Sequence, residues 1–215
     1  KCVMRIFYFL KKGFQFYPPC LAQILLLNDL GVELEVYHGK NSDFINQLLD
    51  KREIRHHELS SDNLKNGKFQ SVKKILDYRQ EAKQIIRNIP DSEILWFGNC
   101  ESVMTLGNIL DGRRFVASIL ELYDDQKWID HLLLNILPKA EAIICCEKHR
   151  AAIMKSRYHL KKQPYVMPNK PYEIEESEKK QGEYSNVDPE IYKIMDECKN
   201  KSIVLYQGII SKDRP

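Results

Sequence analysis

The chain has 215 residues, of which 43% are hydrophobic and 29% are charged, and its formal net charge at pH 7 is +3. This composition is typical of a soluble globular protein with room for one large domain or one and a half ordinary ones. The net charge is too small to argue by itself for nucleic acid as a partner, and we expect none. No apolar run is long enough to cross a membrane, because Gln23, Asn28 and Asp29 interrupt the apolar segment 20–30.

Six cysteines are present, and no two of them have Cys-x-x-Cys spacing. Several lie in apolar runs, where a buried free thiol is the usual state. No signal peptide is visible in the first residues. We therefore expect a reducing compartment and a cytoplasmic protein.

Short runs of apolar and β-forming residues recur along the first 170 positions. The predicted strands are 4–10, 32–39, 53–60, 93–99, 114–125, 141–147 and 163–169. The first of these runs is almost continuously apolar, which is typical of a strand buried on both faces. The third run is weaker, and we expect it near an edge of the sheet.

Helical patterns fill the intervals between these runs. Pro18 and Pro19 start the first helix, and Gly31 lies where a C-terminal cap glycine belongs. The longest amphipathic helix covers about 68–89 and is stopped by Pro90. This alternation predicts the α/β class, with a Rossmann-like, mainly parallel sheet of about seven strands and right-handed crossovers.

The composition changes near residue 170. Residues 170–187 are highly charged and poor in branched apolar side chains, which is typical of a linker. A short helical pattern follows, and a new apolar run starts at Ile203. We predict a first domain at 1–169, a linker with a short helix at 170–200, and the start of a second domain at 201–215.

The first strand is followed by a loop that contains Gly13. Ligands of open parallel sheets bind beyond the carboxyl ends of the strands, so this loop is a candidate site. It has neither the dinucleotide-binding glycine pattern nor a P-loop. Gly13 could let a phosphate approach the backbone, and a simple turn with solvated lysines explains the same residues equally well.

Carboxylates and an amide follow the fourth and fifth predicted strands. Asn99 and Glu101 come after the fourth, and Glu121, Asp124 and Asp125 lie at the end of the fifth. One of the two aspartates is explained by capping of the next helix. Glu121 is not explained that way, because we predict it in the last turn of an apolar strand, and it is the main catalytic or binding candidate. We expect Glu121 and Asp124 to face the same cleft as Gly13.

The histidines do not form a recognisable metal site. His56 and His57 are adjacent, so on a strand they point to opposite faces and cannot share an ion. His38 and His131 are isolated in the sequence, and no zinc-ligand spacing is present. The sequence therefore predicts no bound metal.

Two late segments carry a resemblance to a known family. Residues 141–171 resemble the end of the amino-terminal domain of GT-B glycosyltransferases, and more narrowly of the retaining "group 1" family. Pro168 and Asn169 match the residues that end a strand in that family. Cys146 stands where the family usually has a serine, and Glu147 matches the acidic residue that follows it. Residues 202–215 resemble the first strand and phosphate loop of that family's carboxyl-terminal domain.

The resemblance implies transfer of a sugar from a nucleotide-sugar to a glycan, lipid-linked or small-molecule acceptor, without a metal or other cofactor. It implies a place in polysaccharide biosynthesis and allows peripheral membrane contact, at the inner membrane face, through the acceptor. On this interpretation the donor diphosphate is bound by Gly13, Gly208 and Arg214. The acceptor-binding candidates are Phe14, Gln15, Asn99, Glu101, Tyr123 and Glu147. The catalytic candidates are Glu121 and Asp124.

Two alternatives stay open. A GT-B nucleotide-sugar epimerase has the same architecture and needs no acceptor, and a non-catalytic Rossmann-type binding module needs no chemistry at all. Because the donor-side domain is cut off at Pro215 on this interpretation, we expect the chain alone to be inactive.

Overall fold

The computed structural model describes residues 5–63 and 68–170, together with residues 172, 193 and 196–198. The chain divides into two compact units, Lys1–Glu173 and Ile174–Pro215, and nearly all described residues belong to the first. The predicted strand at Ile203 and the candidate residues Gly208 and Arg214 lie outside the described residues. The domain boundaries at 169 and 200 stay predictions.

The described residues form one parallel sheet of seven strands in the order β3-β2-β1-β4-β5-β6-β7. The strands are β1 Arg5–Leu10, β2 Glu33–His38, β3 Arg55–Glu58, β4 Ile94–Phe97, β5 Arg114–Ser118, β6 Ala142–Cys145 and β7 Tyr165–Val166. The predicted α/β class and strand number are confirmed, and so is the edge position of the third strand.

Helices connect the strands on both faces of the sheet. They are α1 Pro18–Asp29, α2 Asp43–Lys51, α3 Lys68–Arg87, α4 Cys100–Val103, α5 Lys127–Ile136 and α6 Lys148–Arg157. Single 3₁₀ turns lie at Phe14–Phe16, Ser60–Asn63, Gly107–Leu110 and Leu137–Lys139. The predicted end of α1 is confirmed, because Gly31 has a φ of 75° and its N–H donates to the Asn28 carbonyl oxygen.

The two faces of the sheet pack against different helices. Phe7 and Phe9 of β1 belong to a core cluster that includes Tyr78 of α3. Tyr8 points to the other face, where its hydroxyl donates to Gln23 Oε1 of α1 at 2.8 Å. Because α1 and α3 cover opposite faces, the winding of the sheet reverses between β1 and β4, and a crevice is expected where their carboxyl ends diverge.

Strand β5 is shorter than the sequence predicts, since it ends at Ser118 and not at 125. Its neighbour β6 stops at Cys145, so the ladder has no partner for Leu120. The Leu120 carbonyl oxygen instead accepts from the Cys146 thiol at 3.3 Å and from the Arg150 guanidinium. Glu121 therefore lies exposed in the following loop, and its predicted position within the strand is wrong.

The prediction that Asp124 or Asp125 caps the next helix is also wrong. The N-cap of α5 is Gln126, which makes no side-chain capping bond to any described residue. The Gln126 N–H donates to the Tyr123 carbonyl oxygen at 3.1 Å. The two aspartates are therefore the central residues of a tight turn, a position that aspartate also favours, and they lie outside the helix.

The described cysteines are all free thiols. Cys20, Cys100 and Cys145 are buried, as the sequence predicts, and Cys146 and Cys198 are partly exposed. No helix in the described parts of the chain combines the length and apolarity that crossing a bilayer requires.

Candidate active site at the carboxyl edge of the sheet

The loops that follow β1 and β4 contact each other at the carboxyl edge of the sheet. The Lys12 ammonium lies 3.1 Å from Glu101 Oε1, and the Tyr17 hydroxyl donates to the same oxygen at 3.1 Å. The Lys11 N–H donates to Ser102 Oγ at 2.9 Å. We refer to Lys12, Tyr17, Asn99 and Glu101 as the switch-point cluster. It occupies the position where open α/β sheets bind ligands.

Asn99 is held at this position by the start of α4. Its Oδ1 accepts from the Ser102 N–H at 2.9 Å and from the Ser102 hydroxyl at 2.6 Å, which makes it the N-cap of the helix. The residue is only 4% exposed. Its Nδ2 atom approaches Tyr17 without completing a hydrogen bond of acceptable geometry, and no other described residue accepts from it.

An unpaired buried amide donor is costly, by roughly 1–3 kcal/mol. An oxygen atom of a bound ligand beside Nδ2 would remove that cost. Glu101 Oε1 lies nearby in the same cluster as a hydrogen-bond acceptor. An amide donor and a carboxylate acceptor together suit a hydroxyl group, which both donates and accepts.

Tyr17 stays a hydrogen-bond donor at neutral pH. Burial raises the pKa of Tyr17 well above its ordinary value, and the neighbouring Glu101 carboxylate raises it further. The hydroxyl therefore keeps its proton and holds the Glu101 carboxylate in place. Sequence reasoning missed both Lys12 and Tyr17, because their pairing with Glu101 depends on how two distant loops meet.

Gly13 has a packing role that the sequence did not indicate. A Cβ atom at this position would collide with the Lys40 carbonyl oxygen and with the Gln15 side chain. The Gln15 Nε2 donates to the same Lys40 oxygen at 2.8 Å. The glycine thus lets the β1–α1 loop pack directly on the backbone that follows β2, and its proposed contact with a diphosphate is a separate matter.

Phe14, which the sequence suggests as an acceptor-binding residue, is fully buried. Its ring packs against Tyr8 at 6.2 Å and His38 at 5.9 Å between centroids. Its N–H donates to Asn41 Oδ1 at 2.9 Å. Phe14 therefore anchors the loop and presents no exposed face to a ligand, whereas Gln15 is exposed beside it.

Glu121 and Tyr123 lie in the loop after β5. Burial raises the pKa of Tyr123 well above its ordinary value, and Cys100, Glu121 and Tyr17 raise it further. Tyr123 also packs against the core cluster that includes Cys100, at the start of α4. Glu121 lies two residues away in the same loop, and its approach to the crevice stays a prediction.

Asp124 lies in a different electrostatic environment from Glu121. Its charge helps to raise the pKa of Arg157, for which the Asp130 carboxylate is the main cause. Arg157 and Asp130 form a bidentate pair at 2.6 and 2.9 Å between α6 and α5. The charge of Asp124 thus acts on Arg157, and the predicted approach of Asp124 to the cleft beside Gly13 stays a prediction.

Glu147 has a structural explanation. It is the N-cap of α6, and its carboxylate accepts from the backbone N–H groups of His149 at 2.7 Å and Arg150 at 3.0 Å. These two bonds lower the pKa of Glu147. A role in acceptor binding is not needed to explain why an acid is present here.

A further cluster lies at the carboxyl ends of β2 and β3, and it shows that His38, which is isolated in the sequence, has a partner 18 residues away. His38 Nε2 lies 3.0 Å from His56 Nδ1, and His56 Nε2 lies 3.0 Å from Asp50 Oδ1. The strand register explains the contact, because Val36 pairs with His56 and places His38 and His56 on one face. Groups of three or more residues with metal-ligand geometry are absent from the described residues.

No family model matches the sequence, and no curated protein matches it. Solved structures with a similar fold include a glycosyltransferase from Rickettsia africae ESF-5, with 14% identity and a TM-score of 0.51 over 93% of this chain and 49% of that one. Arabidopsis thaliana UGT89C1 complexed with UDP has 12% identity and a TM-score of 0.59, and the match covers 92% of this chain and 55% of that one. Anabaena Alr3699/HepE in complex with UDP and glucose has 13% identity and a TM-score of 0.52, and the match covers 77% of this chain and 44% of that one.

These similarities define the fold. The described unit has the Rossmann-like architecture of a GT-B glycosyltransferase domain, and the chain spans about half the length of the solved structures that it matches. At identities this low the activity, the substrates and the partners do not follow from the likeness.

Proposed function

We propose that this chain is the acceptor-side domain of a GT-B glycosyltransferase that moves a sugar from a nucleotide-sugar to a hydroxyl of its acceptor. The observation that carries the proposal is the buried, unpaired Asn99 Nδ2 beside Glu101, at the edge of the sheet where a ligand is expected. The fold agrees with this assignment, and so do the ligands bound in the similar solved structures, which include UDP and glucose.

The chemistry assigns a task to each group. The bond between the sugar C1 and the donor phosphate oxygen breaks, and its electron pair leaves with the nucleoside diphosphate. A bond from C1 to the acceptor oxygen forms, and the proton of the acceptor hydroxyl passes to the Glu121 carboxylate. Asn99 and Glu101 orient that hydroxyl, and the exposed Glu121 carboxylate accepts from it as charge develops on the oxygen.

The donor side of the site belongs to the same proposal. Gly13 approaches the diphosphate from the β1–α1 loop, and Gly208 and Arg214 bind it from the following domain, where a guanidinium suits phosphate oxygens. A retaining outcome of the "group 1" kind rests on Pro168, Asn169 and their flanking residues. Gln15, Tyr123 and, through its packing, Phe14 shape the acceptor side.

Transfer without a metal is part of the proposal, because basic side chains and helix N-termini can neutralise the leaving group. Addition of EDTA should then leave the rate unchanged, and a rate restored only by added Mg²⁺ or Mn²⁺ would contradict it. A glycan or lipid-linked acceptor would give the protein a place in polysaccharide biosynthesis and bring it to the inner membrane face.

The substitution Asn99→Asp tests the proposal, because it retains the oxygen that caps α4 and replaces the Nδ2 donor with a charged oxygen that only accepts. The product of the complete reading frame that contains this chain should release UDP from UDP-sugars in the presence of a glycan or lipid-linked acceptor. The variant should lose at least about tenfold in kcat/KM for the acceptor. Conversion of the donor sugar without an acceptor would indicate an epimerase, and ligand binding without turnover would indicate a binding module.

A further inference from the structure

Two histidines form a continuous hydrogen-bond chain beside the loop that carries Gly13. His38 Nδ1 lies 2.6 Å from the Gly39 carbonyl oxygen, and His38 Nε2 lies 3.0 Å from His56 Nδ1. His56 Nε2 in turn lies 3.0 Å from Asp50 Oδ1. The rings are nearly parallel, with centroids 5.2 Å apart.

Both ends of this chain are oxygen atoms that only accept hydrogen bonds. Each of the three intervals, from Gly39 to His38, from His38 to His56 and from His56 to Asp50, therefore needs one proton. Two neutral imidazole rings carry only two protons on their nitrogen atoms. We propose that His38 and His56 together hold one proton in excess, and that this shared proton fixes the conformation of the β1–α1 loop.

The surroundings place the extra charge on His56. Burial lowers the pKa of His38, and the charges of His56 and His57 lower it further, whereas the Gly39 carbonyl and Glu58 raise it. The proton of His38 lies on Nδ1, because the Gly39 carbonyl oxygen only accepts, and burial opposes a second proton on this ring. His56 then donates from both ring nitrogens, to His38 and to the Asp50 carboxylate of α2, while the uncharged Phe14 ring packs on His38 from the loop.

The pair is connected to the loop through Asn41. The Asn41 Nδ2 lies 3.4 Å from His38 Nε2 and donates to Asn46 Oδ1 at 3.1 Å, and its Oδ1 accepts the Phe14 N–H. When the extra proton leaves and His56 keeps its bond to Asp50, two lone pairs face each other across the ring-to-ring interval. His38 Nε2 then accepts a stronger hydrogen bond from Asn41 Nδ2 instead, and the Asn41 amide turns away from Phe14.

The consequence for the site follows from the same contacts. Asn41 and Lys40 form the backbone on which Phe14 and Gly13 pack, and Lys12 of the switch-point cluster immediately precedes Gly13. Protonation of the pair therefore holds Lys12 and Gly13 in the arrangement described above. This effect on sugar transfer rests on the proposed function, whereas the proton count does not.

Uniform nitrogen-15 labelling of the 215-residue chain reports both the protonation of each histidine ring nitrogen and the backbone amide signals. In the protonated state, three of the four nitrogens of the pair should carry hydrogen, and His38 Nε2 should not. Between about pH 5 and 8 the pair should lose a single proton. The backbone amide signals of Phe14 and Asn41 should shift with the same midpoint.

Two matched variants separate this mechanism from a general pH effect. Asp50→Asn removes the carboxylate that requires the proton on His56 Nε2, and Asp50 is mostly exposed, so the fold should be retained. The Asp50→Asn substitution should lower the midpoint of the titration of the histidine pair by about half a pH unit or more. Asp43→Asn, on the first turn of the same helix, should leave the midpoint unchanged.

Three results would overturn the inference. The first is a pair that holds only two protons throughout the range from about pH 5 to 8. The second is an unchanged midpoint in Asp50→Asn with its fold verified by circular dichroism. The third is a Phe14 amide signal that does not follow the titration. None of these results depends on whether the protein transfers a sugar.

Discussion

Lys12 and Glu101 join the loops after β1 and β4 through an ion pair of 3.1 Å at the point where the winding of the sheet reverses. Both side chains are partly exposed, at 43% and 31%, so the pair contributes no more than about 1 kcal/mol to stability. Its importance is positional, because it fixes one wall of the crevice relative to the other. The first two predictions, for Glu101→Gln and Glu121→Gln, therefore test whether a charge at this edge of the sheet can be removed with a loss of activity and no loss of stability.

Glu101→Gln should leave the fold intact and weaken acceptor use. The amide oxygen can still accept from Tyr17, whereas the charge that pairs with Lys12 is lost. We expect kcat/KM for the acceptor to fall about 10- to 100-fold, as for the loss of a charged hydrogen bond. Glu141→Gln is the matched control, because it breaks an exposed ion pair with Arg114 at the opposite edge of the sheet and should leave turnover unchanged. Equal effects of the two variants would contradict the assignment.

Glu121→Gln should lower kcat by about 100-fold or more while the melting temperature stays the same. The side chain is exposed in the loop after β5, so the substitution removes its charge without disturbing the core. Asp125→Asn in the same loop removes a neighbouring charge and should have little effect. Unchanged turnover in Glu121→Gln, or a loss explained by a lower melting temperature, would return this residue to a purely structural role.

Gly13→Ala should destabilise the chain by about 1–3 kcal/mol, because the new methyl group overlaps the Lys40 carbonyl oxygen. The flexible Gln15 side chain also lies in its path and could move aside. The double variant with Gln15→Ala removes that second obstacle, so its destabilisation relative to Gln15→Ala isolates the backbone clash. Chemical denaturation of the wild type, the two single variants and the double variant measures the free energy of unfolding of each protein. A double variant as stable as Gln15→Ala would show that the loop can shift to make room for the methyl group.

Glu35 should make stability depend on pH. Burial opposes its ionisation, but hydrogen bonds from Tyr37 and Arg5 prevail and lower the pKa of Glu35. A carboxyl whose folded-state pKa is depressed stabilises the protein above its unfolded value of about 4.3, and that stabilisation is lost as pH falls through the folded-state value. Glu35→Gln should therefore cost roughly 1 kcal/mol at neutral pH and progressively less below about pH 4.

Denaturation of the wild type and Glu35→Gln across this pH range measures how their difference in free energy of unfolding changes with pH. Glu33→Gln, which removes a more exposed carboxylate on the same strand, is the control and should show a smaller pH dependence. A stability difference that grows as the solution becomes more acidic would contradict the account.

The sequence was sufficient for the fold because each strand is a short apolar run between clear turn signals. It was insufficient for the end of β5, where Leu120, Glu121 and Leu122 continue a strand-like alternation. That strand ends because β6 ends and because Arg150, 30 residues later, binds the Leu120 carbonyl. Contacts of this kind depend on tertiary structure and leave no local signal.

The candidate site was predictable in position and not in detail. The rule that ligands bind at the carboxyl ends of parallel strands selected Gly13, Asn99 and Glu101 before any contact was known. The unpaired amide of Asn99 and the hydroxyl of Tyr17 became visible only when the two loops were placed together. The pairing of His38 with His56 could have been found from the strand register, had the order of β2 and β3 been used.

The most direct test of the central claim is acceptor-dependent UDP release by the product of the complete reading frame, compared between the wild type and Asn99→Asp. We predict release that requires both a UDP-sugar and a glycan or lipid-linked acceptor, with kcat/KM for the acceptor at least about tenfold lower in the variant, whose fold is verified by circular dichroism. Acceptor-dependent release that is equally fast in both proteins would contradict the assignment of the switch-point cluster as the acceptor site, and no release with any acceptor would contradict sugar transfer itself.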